Sequence, residues 1–179
     1  MMKKLMLALF VAVLTFGSVQ AQSNLAHVST QKVLDTMPSR KSAMVELERF
    51  EERAFRELQE TQKKLQDDYN KLQSEKVGMS PTAYKFEEDR LMRKSQEFQQ
   101  RQQELDQQIK YLGEELNGPI LDMVQKAVET VCKIEKIDYV LDESTLLYSK
   151  GRDITDKVVK EVLKLEAAAA AAAAAEKKD

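Results

Sequence analysis

From Ser39 to Leu116 the chain is polar, dense in charge and nearly free of helix breakers, with one interruption at Val77-Gly78-Met79-Ser80-Pro81. That pattern predicts two long helices, running out to a tip and back, with too few apolar residues along them to build a globular core. β-prone segments lie on both sides. The expected architecture is therefore α+β and mostly α: helical-hairpin, coiled-coil-like arms at 39–116 projecting from a small β-containing oligomerisation body at 22–38 and 117–166. At 1.5 Å rise, an arm of about 36 residues spans roughly 54 Å, more than a compact domain of this chain length, so the arms must project.

In the returning arm Tyr84, Leu91, Phe98, Leu105 and Leu112 recur every seven residues and form one coiled-coil seam. The companion row, Glu88, Ser95, Gln102, Ile109 and Leu116, is polar near the tip and apolar only near the base. The outgoing arm answers with Leu58, Leu65 and Leu72 on one row and Leu47 and Ala54 on its neighbour, where Thr61 and Asp68 continue as polar residues. The two helices are expected to zip through a thin seam that weakens outward. At the tip, Gly78 is expected to supply a positive φ at a helix C-terminus, Ser80 an N-cap and Pro81 a first helical residue.

Several apolar residues fall off that seam. Phe86 lies roughly 200° around the helix from Tyr84 and should face away from the partner arm. Phe55, Tyr69 and Met92 flank the seam, and Val77 and Met79 sit in the tip. These six read either as ordinary surface hydrophobes or as dilute contacts for non-native clients, to which Met and aromatic side chains adapt well. Between Glu60 and Lys94 there are eight Lys or Arg against seven Asp or Glu, which reads as a solvated helix surface and not as an anion-binding patch.

The body begins with a strand candidate at Asn24–Val28 and a brief helix, capped by Ser29 or Thr30, that stops at Pro38. After the arms, Asn117-Gly118-Pro119 predicts a bend or restart. Ile120, Leu121, Val124, Ala127, Val128 and Val131 then form a wider apolar face on a packed helix. Ile137–Leu141 and Thr145–Tyr148 read as a β-hairpin turned by Asp142-Glu143-Ser144. A terminal helix carries Ile154, Val158, Val159, Val162, Leu163 and Leu165. So small a sheet has open edges, and sharing them between subunits is an economical solution. Candidates for the body and its oligomer contacts are Leu25, Val28, Val124, Val128, Val131, Tyr139, Leu141, Leu146 and Tyr148.

The chain ends carry other information. Lys3 and Lys4, the apolar run Leu5–Phe16 and Val19-Gln20-Ala21 form a signal peptide pattern over 1–21, with cleavage expected after Ala21. The apolar run is shorter than the roughly 20 residues a membrane span needs, so no stable membrane insertion is expected after cleavage. Removing the two lysines takes the net charge from −2 to −4, and no basic face suggests nucleic acid. Residues 167–179 form an Ala-rich tail in which Ala167–Ala175 should prolong the terminal helix.

No catalytic or cofactor site is expected, and no metal site: one histidine (His27) and one cysteine (Cys132) lack partners of their kind. Carboxylates such as Asp67 and Asp68 are not grouped with a nucleophile, no Gly-rich phosphate loop occurs, and Asp153-Ile154-Thr155 looks like helix-start chemistry.

Leu25-Ala26-His27-Val28 followed by Ser29–Leu34, and Ile137–Asp142 with Leu147-Tyr148 and Asp153-Ile154-Thr155, resemble the first strand and helix and the closing strands of the Skp (OmpH-like) periplasmic chaperone family. The likeness covers roughly Leu25 to Leu165. It implies a homotrimer whose shared β-body carries three helical hairpins around a cavity. It also implies an ATP-independent periplasmic holdase for unfolded outer-membrane β-barrel proteins. The best-known relatives are strongly basic, whereas this chain has a pI near 5.7, which shifts the expected grasp toward apolar contact. The competing reading is a structural coiled-coil adaptor of the cell envelope, which would share the signal, the arms and the oligomerisation but bind one fixed partner.

Overall fold

The computed structural model describes residues 24–176, so the signal peptide and the last three residues lie outside the described residues. Strand β1 (Leu25–Val28) leads into helix α1 (Thr30–Thr36). Met37 separates α1 from α2 (Pro38–Glu75), which starts on the proline that α1 cannot absorb. A 3-10 turn at Lys76–Gly78 leads to α3 (Pro81–Glu135), and β2 (Tyr139–Asp142), a 3-10 turn at Glu143–Thr145, β3 (Arg152–Asp153) and α4 (Thr155–Glu176) complete the chain.

The sheet runs β2-β1-β3, and both pairings are parallel. Leu25 lies opposite Tyr139 and His27 opposite Leu141 on one side, while Ala26 and His27 meet Arg152 and Asp153 on the other. The expected hairpin is therefore not formed. Residues 146–151 are not a strand, and Leu147 is fully exposed. Asp142 explains the difference, because its Oδ1 accepts from the Ser144 N–H at 2.8 Å and curls the chain into a 3-10 turn instead of a hairpin turn.

Parallel strands need a long crossover, and between β1 and β2 that crossover is the pair of arms. The arms are thus an insertion stretched out of an ordinary β-α-β connection. The core lies where the crossover leaves and returns. Ala26 and Val28 of β1, Val33, Met37, Ile120, Val124, Ala127 and Val131 of α3, Ile137, and Ile154, Val158 and Val162 of α4 are buried together. The spacing of four between Ile154, Val158 and Val162 keeps them on one face of α4. Leu121 and Leu163, expected in the same apolar faces, point outward and are half or nearly half exposed.

Two further expectations fail at turns. Helix α3 continues through Asn117-Gly118-Pro119 without restarting. The carbonyl left without a donor by Pro119 belongs to Glu115, which is exposed and can bond water, and Asn117 Nδ2 donates to the Gly113 carbonyl at 2.7 Å. At the tip Gly78 has no positive φ, because a 3-10 turn closes the hairpin; among the described residues the one in the left-handed region is Lys136 (φ 55°), which ends α3. Ser80 does cap α3, its Oγ accepting from the Ala83 N–H at 3.2 Å.

Candidate functional site: the arms and the open sheet

Helices α2 and α3 lie side by side along the arms. Every residue of the expected seam is at least half-buried: Leu47, Leu58, Leu65, Tyr84, Leu91, Phe98 and Leu112 partly, Leu72 and Leu105 fully. At the base, Leu47 Cδ2 lies 3.9 Å from the position a Gly113 Cβ would occupy, an ordinary contact distance, so the two helices pack against each other there.

Between apolar layers, ion pairs cross from arm to arm. Arg101 grips Glu57 with two bonds, Nε to Oε1 at 2.6 Å and Nη2 to Oε2 at 3.2 Å. Lys94 Nζ donates to Asp68 Oδ2 at 2.6 Å. The hydrogen bond from Arg101 holds the Glu57 carboxyl below its ordinary value, and the Lys94 ammonium does the same for Asp68. Leu65 and Phe98 line a cavity of about 320 Å³ between these two pairs. The arm therefore alternates apolar and ionic layers, and Leu72 is buried close to the tip. The expected outward fading of the seam gives way to ionic bracing where the companion row turns polar. Tyr84 fixes the tip, taking the Lys76 ammonium over its ring at 5.0 Å and a bond from Gln73 Nε2 at 3.4 Å.

Of the six candidate contact residues, Phe55, Tyr69, Val77, Phe86 and Met92 are exposed by more than half, and Met79 is half-buried. Phe86 faces away from the partner arm, as its spacing from Tyr84 requires. They are not gathered into one pocket. At the arm base a groove of about 530 Å³ runs between Phe50, Arg53, Tyr111 and Leu112, with Glu46 and Glu104 on its rim. Tyr111, which is 68% exposed, was not singled out from the sequence, although it immediately precedes the seam residue Leu112.

The body candidates separate into two sets. Val28, Val124 and Val131 are buried in the chain's own core, with Val128 and Leu146 partly covered. Leu25, Tyr139, Leu141 and Tyr148 are exposed. Leu25, Tyr139 and Leu141 share the sheet face opposite Ala26 and Val28, by the pairing register.

Ser149 Oγ lies 2.9 Å from His27 Nδ1, the nearest approach to a nucleophile–base pair. Asp153 Oδ1 is occupied by the Thr155 N–H and Oγ1–H at 2.8 and 2.6 Å, so it starts α4 and does not orient the imidazole. Those bonds also hold the Asp153 carboxyl below its usual range. Among the described residues no group of His, Cys, Asp and Glu has the arrangement of a metal site, and no helix is long and apolar enough to cross a membrane.

The family described as OmpH, outer membrane protein (OmpH-like), matches residues 24–162. Chaperone protein Skp of Photorhabdus laumondii is 32% identical over 90% of this chain and 99% of its own. Skp of Pectobacterium atrosepticum is 31% identical over 82% and 89%, and Skp of Salmonella typhimurium 31% over 90% and 99%. Among solved structures, an OmpH-like outer membrane chaperone from Caulobacter crescentus superposes with a TM-score of 0.69 at 17% identity, covering 79% of this chain and 85% of that one.

Proposed function

Because the chain belongs to the OmpH-like outer membrane protein family, and its relatives include Skp chaperones at about a third identity, we propose that it is an ATP-independent periplasmic holdase for unfolded outer-membrane proteins. Its work is non-enzymatic: it binds, shields and releases. Cleavage after Ala21 would deliver the mature chain to the periplasm, and three copies would join through their sheets to place three arm pairs around a cavity.

The observation that carries this reading is the distribution of apolar surface on the arms. Phe55, Tyr69, Phe86 and Met92 are exposed, spread over both helices and interspersed with charge of both signs. A fixed partner is bound through a concentrated cluster of anchor residues. Dispersed aromatic and thioether contacts suit a chain without a fixed shape, each contact weak and the sum adjustable. Open edges at β2 and β3 support assembly, because an unpaired edge beside an apolar face invites a second chain.

The test combines light scattering on the mature protein with turbidity of a denatured β-barrel membrane protein diluted into buffer without nucleotide. A trimer that suppresses turbidity near stoichiometric ratio is expected. Replacing Phe55, Phe86 and Met92 together by Ser should weaken suppression several-fold and leave the mass unchanged. A monomer, or a trimer with no effect at stoichiometric excess, overturns the proposal.

A further inference from the structure

Glu166 is the last residue of α4 before the alanine run, and it meets the root of the outgoing arm. Its Oε1 accepts from the Ser39 backbone N–H at 3.0 Å and also from the Ser39 hydroxyl. Helix α2 needs an acceptor there. Its N-cap is Met37, which offers no side-chain oxygen, and Pro38 has no N–H, so Ser39 carries the first free donor. Glu166 caps the arm from 127 residues away. Its second oxygen, Oε2, is buried without a hydrogen-bond partner among the described residues, and the positive end of α2 is the environment that makes a buried carboxylate tolerable.

The alanine run gives that residue its footing. Packing secures α4 as far as the fully buried Val162 and the half-buried Leu165, whereas Ala167–Ala175 are all exposed. If the helix stopped at Glu166, that residue would sit in a terminal turn whose carbonyls lack donors and whose end frays. The run prolongs α4 to Glu176. It supplies those donors from the residue type with the highest helix propensity and with no side chain that needs packing. Nine exposed alanines thus place Glu166 inside a helix instead of at its end.

We propose that Glu166 is the positioning residue that fixes the root of the outgoing arm to the body, and that the alanine run exists to hold it there. The C-terminus then sets how firmly each arm is seated, whatever the arms grasp.

Hydrogen exchange on the full mature assembly, read at peptides covering residues 38–44, tests both halves. Glu166→Ala and a chain ending at Glu166 should each speed exchange at the arm root by roughly five-fold, the size expected for a lost cap. The two changes combined should add little beyond either. Glu166→Gln keeps an acceptor at Oε1 and should change exchange less than two-fold. Replacing Ala168, Ala171 and Ala174 together by Gly should mimic the truncation, while a replacement tail rich in Glu, Lys and Leu at helix-compatible positions should restore protection. Exchange across Val124–Val131 should not move in any variant. Unchanged protection at the root in Glu166→Ala overturns the cap, and unchanged protection in the truncated chain overturns the role of the run. Equal loosening of Val124–Val131 overturns both, since it would mark general destabilisation.

Discussion

Asp142 fastens two turns with one carboxylate. Its Oδ2 accepts from the Thr30 N–H at 3.3 Å, where α1 starts, and its Oδ1 accepts from the Ser144 N–H at 2.8 Å, where the chain leaves β2. Both bonds favour the ionised form and hold its pKa at about 2. An unfolded aspartate titrates near pH 3.9, so folding depresses the value. The stability that follows is fully present above about pH 5 and is lost as pH falls through the folded value, near 2. The side chain is partly solvated, which discounts the full linkage value to about 1 kcal/mol. Asp142→Asn should therefore lower the unfolding free energy, read from urea titration, by about that much at neutral pH and at fixed protomer concentration. The gap should narrow as pH is lowered from about 5 to about 2. A penalty that stays constant over that range would assign the loss to packing and not to charge.

At the scale of the elements, the arms rest on ion pairs as much as on leucines. Glu57–Arg101 and Asp68–Lys94 join residues 44 and 26 positions apart. Each looks like an ordinary solvated charge until the register of the two helices is known. That is why the seam was legible in the sequence and its bracing was not: a seven-residue row is a local signal, while a cross-arm pair needs the position of the tip. The hairpin expected at 137–148 failed for a related reason. β2 pairs with β1 across the whole crossover, and no local pattern announces a partner 114 residues away. Single exposed pairs contribute little, usually under about 1 kcal/mol, and salt weakens them. Removing both by Glu57→Gln and Asp68→Asn should speed exchange of the mid-arm amides at low ionic strength, with the difference shrinking in about 1 M salt, where the screening length is roughly 3 Å. Reversing one pair, with Asp68→Lys and Lys94→Asp together, should restore protection that either change alone removes. A reversed pair as loose as the single variants would show that the helices, and not the charges, set the arm's stiffness.

At the scale of the whole molecule, the open sheet is the feature one chain cannot complete. Parallel sheets are normally covered on both faces. Here one face is closed by α3 and α4, and the other presents Leu25, Tyr139 and Leu141, at 52, 64 and 40% exposure, to whatever lies outside. Leu25 stands opposite Tyr139 in the register, so the two side chains form one apolar patch. The arms leave that patch uncovered, since all three of its residues are exposed. In the proposed trimer another copy would cover it, and the arms would take their spacing from the assembled bodies. A charge on the patch should break the assembly without unfolding the protomer, whose own core uses the opposite face. Tyr139→Asp with Leu141→Asp is expected to shift the mass from the proposed trimer to the monomer at micromolar concentration while keeping the helical circular dichroism. The same variant should lose most of its holding activity even though every arm residue is intact, since one hairpin cannot enclose a client. A dissociated variant that still prevents aggregation would place the activity in the single hairpin. A variant that stays trimeric would move the subunit contact to the groove at Phe50 and Tyr111.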